Sequence, residues 1–245
     1  MEWGRIIAEV LVDFISWQTV TLIIGLLNLV IVVTFYNILP TSKHFKAYPI
    51  RFSCFKESFI KKLADPKLRL LFAESFILMG CFVTVFNYMS YHLLEKPFEL
   101  SQTWIGLISI TYVARIYSSP RAASLENKFG REKVLPAMFM SMLLGLWLML
   151  IPSIGLVLLG LILFTFSFFA AHSTSSSWIS VQSLQYRAVG SSFYLFSYYM
   201  GSSILGSSSG LVWENYGWNG LSVFISCVLM LGLFFAVQLH HRSSS

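Results

Sequence analysis

Residues 134–186 contain no Asp, Glu, Lys or Arg, and five further stretches share that property: 14–42, 75–94, 100–114, 188–213 and 215–241. About 20 apolar residues suffice to cross the hydrocarbon of a bilayer as a helix. Inside lipid every backbone N–H and C=O must be bonded within the segment or within a closed barrel. Barrel strands alternate in segments of roughly ten residues, whereas these runs are continuously apolar, so they specify helices. The run 134–186 is too long for one crossing and is broken by Pro152-Ser153-Ile154-Gly155, residue types that punctuate helices. It reads as two helices. The others read as one helix each, over 17–39, 70–94, 103–118, 190–213 and 217–238. The expectation is an all-α, multi-pass membrane protein with seven full spans, of which 103–118 is the shortest and carries Arg115 near its end.

Composition agrees. Only 11% of the 245 residues are charged and 56% are apolar, against roughly 25% charged in soluble domains. A soluble fold would expose more apolar surface than water tolerates, which excludes an ordinary cytosolic enzyme and a disordered tail. Cys54, Cys81 and Cys227 lie far apart, without metal-ligand spacing or an even-numbered disulfide framework. The net charge of +6 is explained by where the bases sit. Eight lie in 40–69 (Lys43, Lys46, Arg51, Lys56, Lys61, Lys62, Lys67, Arg69), four in 118–133 (Arg121, Lys128, Arg131, Lys133), and Arg187 and Arg242 fall on the same side. The opposite loops hold only Lys96. Basic loops stay cytoplasmic, so 40–69, 118–133 and the C-terminus are expected inside. Trp17, Trp104, Trp213 and Trp218 are expected to form an outer aromatic belt. A nucleic-acid partner would leave this one-sidedness unexplained and is excluded.

Residues 1–16 are too short to span and have neither the basic start nor the small-residue cleavage site of a signal peptide. They read as the second half of a helix. Glu9-Val-Leu-Val-Asp13-Phe-Ile-Ser-Trp17 also lines up with Gly210-Leu-Val-Trp-Glu214-Asn-Tyr-Gly-Trp218, each placing an acid four residues before a tryptophan that leads into an apolar span. Parallel six-helix repeats joined by a long cytoplasmic loop are one transporter plan. On that plan 1–39 is the remnant of an N-terminal bundle (a half helix plus one span), 40–69 the basic inter-bundle loop, and 70–245 a six-helix C-terminal bundle. The chain is expected to be an N-terminally truncated version of a twelve-helix protein.

The stretch Leu125-Glu-Asn127-Lys128-Phe-Gly130-Arg131-Glu-Lys133 resembles the loop signature of the major facilitator superfamily, Gly-x-Leu-x-Asp-Arg/Lys-x-Gly-Arg-x-Lys, with Ala123 in place of its first glycine and Asn127 in place of its aspartate. The segments Phe168-Phe-Ala-Ala-His172-Ser, Tyr194-Leu-Phe-Ser-Tyr-Tyr199-Met-Gly201-Ser-Ser and Asn215-Tyr-Gly-Trp218-Asn-Gly220 resemble the YnfM-type bacterial inner-membrane transporters of that superfamily. The resemblance implies family helices five (part) to twelve, a bacterial inner (plasma) membrane, and a gating loop made by Leu125, Asn127, Lys128, Gly130, Arg131 and Lys133. Asn127 hydrogen-bonds but carries no charge, so a charge relay through this loop is not implied. The plainer reading is that the loop fixes topology.

An ionisable group in a membrane helix is a functional candidate by default. Glu74 sits about one turn into 70–94, where it either serves coupling or snorkels to the cytoplasmic surface. His172 divides the apolar run Leu156–Ala171 from the polar run Ser173-Thr-Ser-Ser-Ser-Trp178. It is either a titrating pathway group or a packing histidine. His92 reads as interfacial and Arg115 as an anchor at its helix end. Asn87, Tyr88 and Thr174 add polar groups to the pathway, and Tyr194, Tyr198 and Tyr199 either line a cavity for a flat apolar or cationic solute or face lipid or neighbouring helices. Ser202, Gly206 and Gly210 recur every four residues and are expected to be a close-packing stripe.

These residues imply a secondary transporter using alternating access. The resemblance further implies proton-coupled efflux, as in an antiporter, of a small-molecule solute. The lipid bilayer and protons are its other partners, and no cofactor is called for. The competing reading is a non-transporting membrane protein, an inactive relic or a partner subunit, prone to self-association. The chain has no HExxH motif and no convincing Ser/His/Asp set, so an intramembrane enzyme is not expected, and no phosphate loop marks a primary pump.

Overall fold

The computed structural model describes residues 15–39, 65–101, 111, 113–183 and 187–244. The chain divides into two compact units, residues 1–51 and 52–245. Four of the described helices are long and apolar enough to cross a membrane: Trp17–Ile38, Pro66–Leu94, Ile154–Gln182 and Ala188–Arg242.

In the first unit, helix α1 (Trp17–Ile38) starts where the Ser16 side chain accepts from the Thr19 N–H. Most of its side chains are exposed, including Leu22, Leu26, Val30 and Phe35. Its polar groups turn inward. Thr21, Asn28 and Thr34 each donate to the carbonyl four residues back, at Trp17, Ile24 and Val30. A helix in hydrocarbon must satisfy its polar groups in this way. Residues 9–14 of the internal repeat and the loop residues 40–64 lie outside the described residues.

The second unit contains α2 (Pro66–Leu94), α3 (Ala114–Phe129), α4 (Arg131–Leu148), α5 (Ile154–Gln182) and α6 (Arg187–Ser244). Asp65 caps α2 by accepting from the Lys67 N–H, and Pro66 occupies the first turn, where no backbone donor is lost. The break at Pro152 falls between α4 and α5, as the sequence requires. α6 is two arms, 187–216 and 218–244, folded at Gly217, whose φ of 58° and ψ of −156° only glycine adopts readily. These arms correspond to the expected spans 190–213 and 217–238.

The stretch 118–133 departs from expectation. It is not a loop. α3 carries its charges as far as Phe129, and Gly130, at φ 84°, alone separates α3 from α4. Helical geometry tolerates the charged side chains of Arg121 and Lys128 because both are exposed.

The helix ends match in space. At one end Gln182 Nε2 lies 3.5 Å from Asp65 Oδ2, joining the end of α5 to the start of α2. At the other, Trp218 Nε1 donates to the Met149 carbonyl and its ring stacks on His92 at 4.7 Å. Trp218 is 5% exposed, so it packs inside this end and does not join an outer belt. Trp104 lies outside the described residues.

α2 packs most extensively on α6, and α4 on α5. Glycines set both approaches. A Cβ on Gly145 would lie 2.7 Å from the Gly160 carbonyl oxygen, and one on Gly80 would lie 2.9 Å from that of Gly201. A Cβ on Gly201 would collide with the Phe76 carbonyl. Gly206 is looser, with Val83 Cγ1 at 3.3 Å from such an atom. The close seam is therefore Gly80 against Gly201, not the stripe Ser202/Gly206/Gly210. Around it, Phe139, Phe164, Phe168, Leu78 and Met89 form the core.

Candidate functional site

Helix periodicity builds the site. On α5 the residues Phe169, His172, Ser173, Ser176, Ser177 and Ser180 recur every three or four positions and so share one face. That face lines a cleft of about 440 Å³, completed by Arg115 and Ser119 from α3 and by Tyr198 from α6. The volume lies within the range of about 300–1,000 Å³ that holds small molecules.

The cleft has an aromatic wall with a cation above it. The Arg115 guanidinium lies 5.3 Å from the centre of the Phe169 ring. His172 packs against Tyr198 at 4.9 Å and Tyr194 at 5.5 Å between ring centres. Its Nδ1 is 2.8 Å from the Tyr194 hydroxyl, which also reaches the His172 carbonyl at 3.4 Å. The single hydroxyl proton goes to the carbonyl, so both contacts are satisfied when Nδ1–H donates to the hydroxyl oxygen, which leaves Nε2 as an acceptor.

Tyr194 is buried behind the cleft, and its own carbonyl accepts from Ser75. Next to it is Glu74, fully buried and near enough to Tyr194 to act on it electrostatically. Glu74 faces Ser175, yet both carboxylate oxygens and the Ser175 hydroxyl are buried without a properly directed hydrogen bond. With α2 starting at Pro66, Glu74 lies two turns into the helix and does not snorkel. Burial of an unpaired carboxylate is costly, so its presence in the core calls for a functional reason.

The other sequence candidates separate. Thr174 is buried one step round α5 and donates to Glu126 Oε1 at 2.8 Å. Ser177 and Arg131 donate to Glu126 Oε2 at 3.2 and 3.1 Å. Glu126 thus ties α3, α4 and α5 together where Gly130 turns the chain. Among the signature residues only Arg131 joins this network. Asn127, Lys128 and Lys133 are exposed, Leu125 is half-buried, and Lys128 lies over the Phe129 ring. Asn87 is exposed, and Tyr88 packs on Trp213 at 5.3 Å beside Gly210. Neither lines the cleft. Tyr199 is exposed and packs edge-on against Tyr198. Sequence reasoning passed over Glu126 and the serine face, although the spacing 173, 176, 177, 180 was visible. Arg115 enters the cleft where an anchoring role was expected.

The family model described as Major Facilitator Superfamily matches residues 3–206. The chain belongs to the Major Facilitator Superfamily. The matched region takes in every residue of the cleft. This superfamily chain is 42% identical, over 98% of its length, to the inner membrane transport protein YnfM of Escherichia coli strain K12. It is 39% identical over 96% to an uncharacterized transporter of Buchnera aphidicola subsp. Schizaphis graminum, and 34% identical over 94% to the uncharacterized MFS-type transporter YybF of Bacillus subtilis strain 168. The chain spans 57% of the length of each of these relatives.

Proposed function

We propose that the chain provides the second bundle of a secondary transporter in a bacterial inner membrane, one that exports a small solute in exchange for protons by alternating access. Its solute site is the cleft between α3, α5 and α6, and its proton route runs through His172, Tyr194 and Glu74. The observation that carries this reading is that one face of α5 gathers a histidine, four serines and an aromatic ring in a cleft, and that this histidine is bonded to Tyr194, beside which lies a buried, unpaired carboxylate. Alternating access places a solute site near the midplane between two repeats, and the open cleft of this bundle is suited to be half of such a site. The basic residues at the α2, α3/α4 and C-terminal ends face the cytoplasm on this reading.

The test is flux into everted membrane vesicles under an imposed pH gradient, for the chain alone and for the chain joined behind the preceding part of the YnfM sequence. Gradient-dependent, saturable flux from the joined protein that falls at least tenfold with Glu74→Gln or His172→Ala supports the reading. Flux unaffected by either change removes the proton route. Absence of flux from the joined protein favours the partner-subunit alternative.

A further inference from the structure

We infer that the cleft binds a monoanionic solute with a flat apolar body, such as an aromatic carboxylate, held by Arg115. This rests on the proposed role of the cleft as the solute site, and it replaces the apolar or cationic solute that the tyrosines alone suggested.

The charge inventory carries the inference. Among the described residues that line the cleft, Arg115 is the one full charge and none is a carboxylate. Among the described residues, Arg115 has no ion pair. Its contact is the Phe169 ring, and its charge reaches His172 and Tyr198. The acids nearest to hand are committed or screened off. Glu126 lies three turns along α3, about 16 Å at 1.5 Å per residue, and is held by Arg131, Thr174 and Ser177. Glu74 stands behind Tyr194, fully buried. A cation solute would meet an arginine with no acid to offset it.

Serine hydroxyls on the cleft wall supply further donors. Ser119, Ser173 and Ser176 present hydroxyls to the cleft. A planar guanidinium with hydroxyls beside it matches a carboxylate, to which arginine donates two parallel hydrogen bonds. A single cation balances a single negative charge. Phe169, His172 and Tyr198 offer ring faces for an apolar body, and the volume of about 440 Å³ accommodates two fused rings.

Saturation-transfer NMR titration of the purified 245-residue chain in an uncharged maltoside detergent tests this with three probes of one shape: 2-naphthoate, 2-naphthamide and 2-naphthylmethylammonium. The expected result is naphthoate bound at least tenfold more tightly than either other probe. Arg115→Gln should abolish that preference, and Arg115→Lys should keep part of it. Equal binding of naphthoate and naphthamide, preference for the ammonium, no naphthoate binding at millimolar concentration, or an unchanged preference in Arg115→Gln would each overturn the inference. The comparison of three probes on the unmodified chain needs no variant to fold. Since binding is read without flux, failure here is distinct from failure of transport.

Discussion

The Tyr194 hydroxyl sits 2.8 Å from Nδ1 of His172, linking the first arm of α6 to α5 across the back of the cleft. This contact fixes which imidazole nitrogen faces the cleft. Tyr194→Phe should release the ring, and ¹⁵N NMR of labelled histidine should show the Nδ1–H tautomer giving way to a mixture. Loss of one buried hydrogen bond should lower stability by about 0.5–1.5 kcal/mol. An unchanged tautomer would mean that the ring stacking on Phe168 and Tyr198 holds the imidazole by itself.

Glu74 is buried beside Ser175 with neither oxygen hydrogen-bonded. A neutral amide of the same shape costs less to bury there than a charged carboxylate. Glu74→Gln should therefore raise stability by about 1–3 kcal/mol, read as a higher midpoint of thermal unfolding in detergent, while flux in the joined protein falls. A residue kept for packing would show the opposite pair of results.

The small-residue seam makes a third prediction. Gly201→Ala drives a methyl into the Phe76 carbonyl on α2, and backbone does not yield as a side-chain tip does. Overpacking of this kind costs about 1–3 kcal/mol or more. Gly206→Ala meets only side-chain ends, Val83 Cγ1 at 3.3 Å and Asn87 Nδ2 at 3.9 Å, and should change stability by less than about 1 kcal/mol, since alanine also favours the helix. Ser209 is fully buried and bonded to the Gly206 carbonyl at 2.8 Å, so Ser209→Leu should be more damaging than Gly206→Leu. Expression level and thermal unfolding in detergent would rank the four variants.

That ranking reverses what spacing alone suggested, and the reason is physical. A stripe of small residues is visible in sequence, but which stripe meets another helix depends on the rotation of α6 against α2. The apolar spans were legible because lipid forbids charge, so gaps between charges mark helices directly. The same rule misled at 118–133, where charges were read as a loop. α3 continues to Phe129 because a helix leaving the membrane keeps its hydrogen bonds whether or not its side chains are charged. Arg115 was read as an anchor from its place near a span end, and only the neighbouring Phe169 and His172 reveal the cleft it enters. Glu126 gave no signal, since its partners Thr174 and Ser177 come from a distant segment.

The Glu126 network should be structural. Glu126→Ala strands the Arg131 guanidinium and two hydroxyls, and bonds to a charged group contribute about 1.5–3 kcal/mol each at most. We expect a loss of about 2–3 kcal/mol in detergent unfolding, while Asn127→Ala, at an exposed position, should be nearly neutral. Equal effects of the two changes would place the signature motif, and not Glu126, at the centre of this corner.

Topology gives the last prediction. The α3/α4 turn carries Lys128, Arg131 and Lys133, whereas the opposite end beyond α2 carries Lys96 alone. Translocating a cluster of bases is disfavoured, so the clustered end should be cytoplasmic. In a background with Cys54, Cys81 and Cys227 replaced, a cysteine is placed at exposed Lys96 or exposed Asn127, and intact cells are treated with an impermeant maleimide. Lys96→Cys should label in intact cells. Asn127→Cys should label only after the membrane is opened. The reverse pattern would turn the bundle over and put the α3/α4 corner outside. It would also remove the cytoplasmic placement of the α2 start, because the Asp65 to Gln182 contact and the Glu126 to Ser177 contact lie toward the same end of α5.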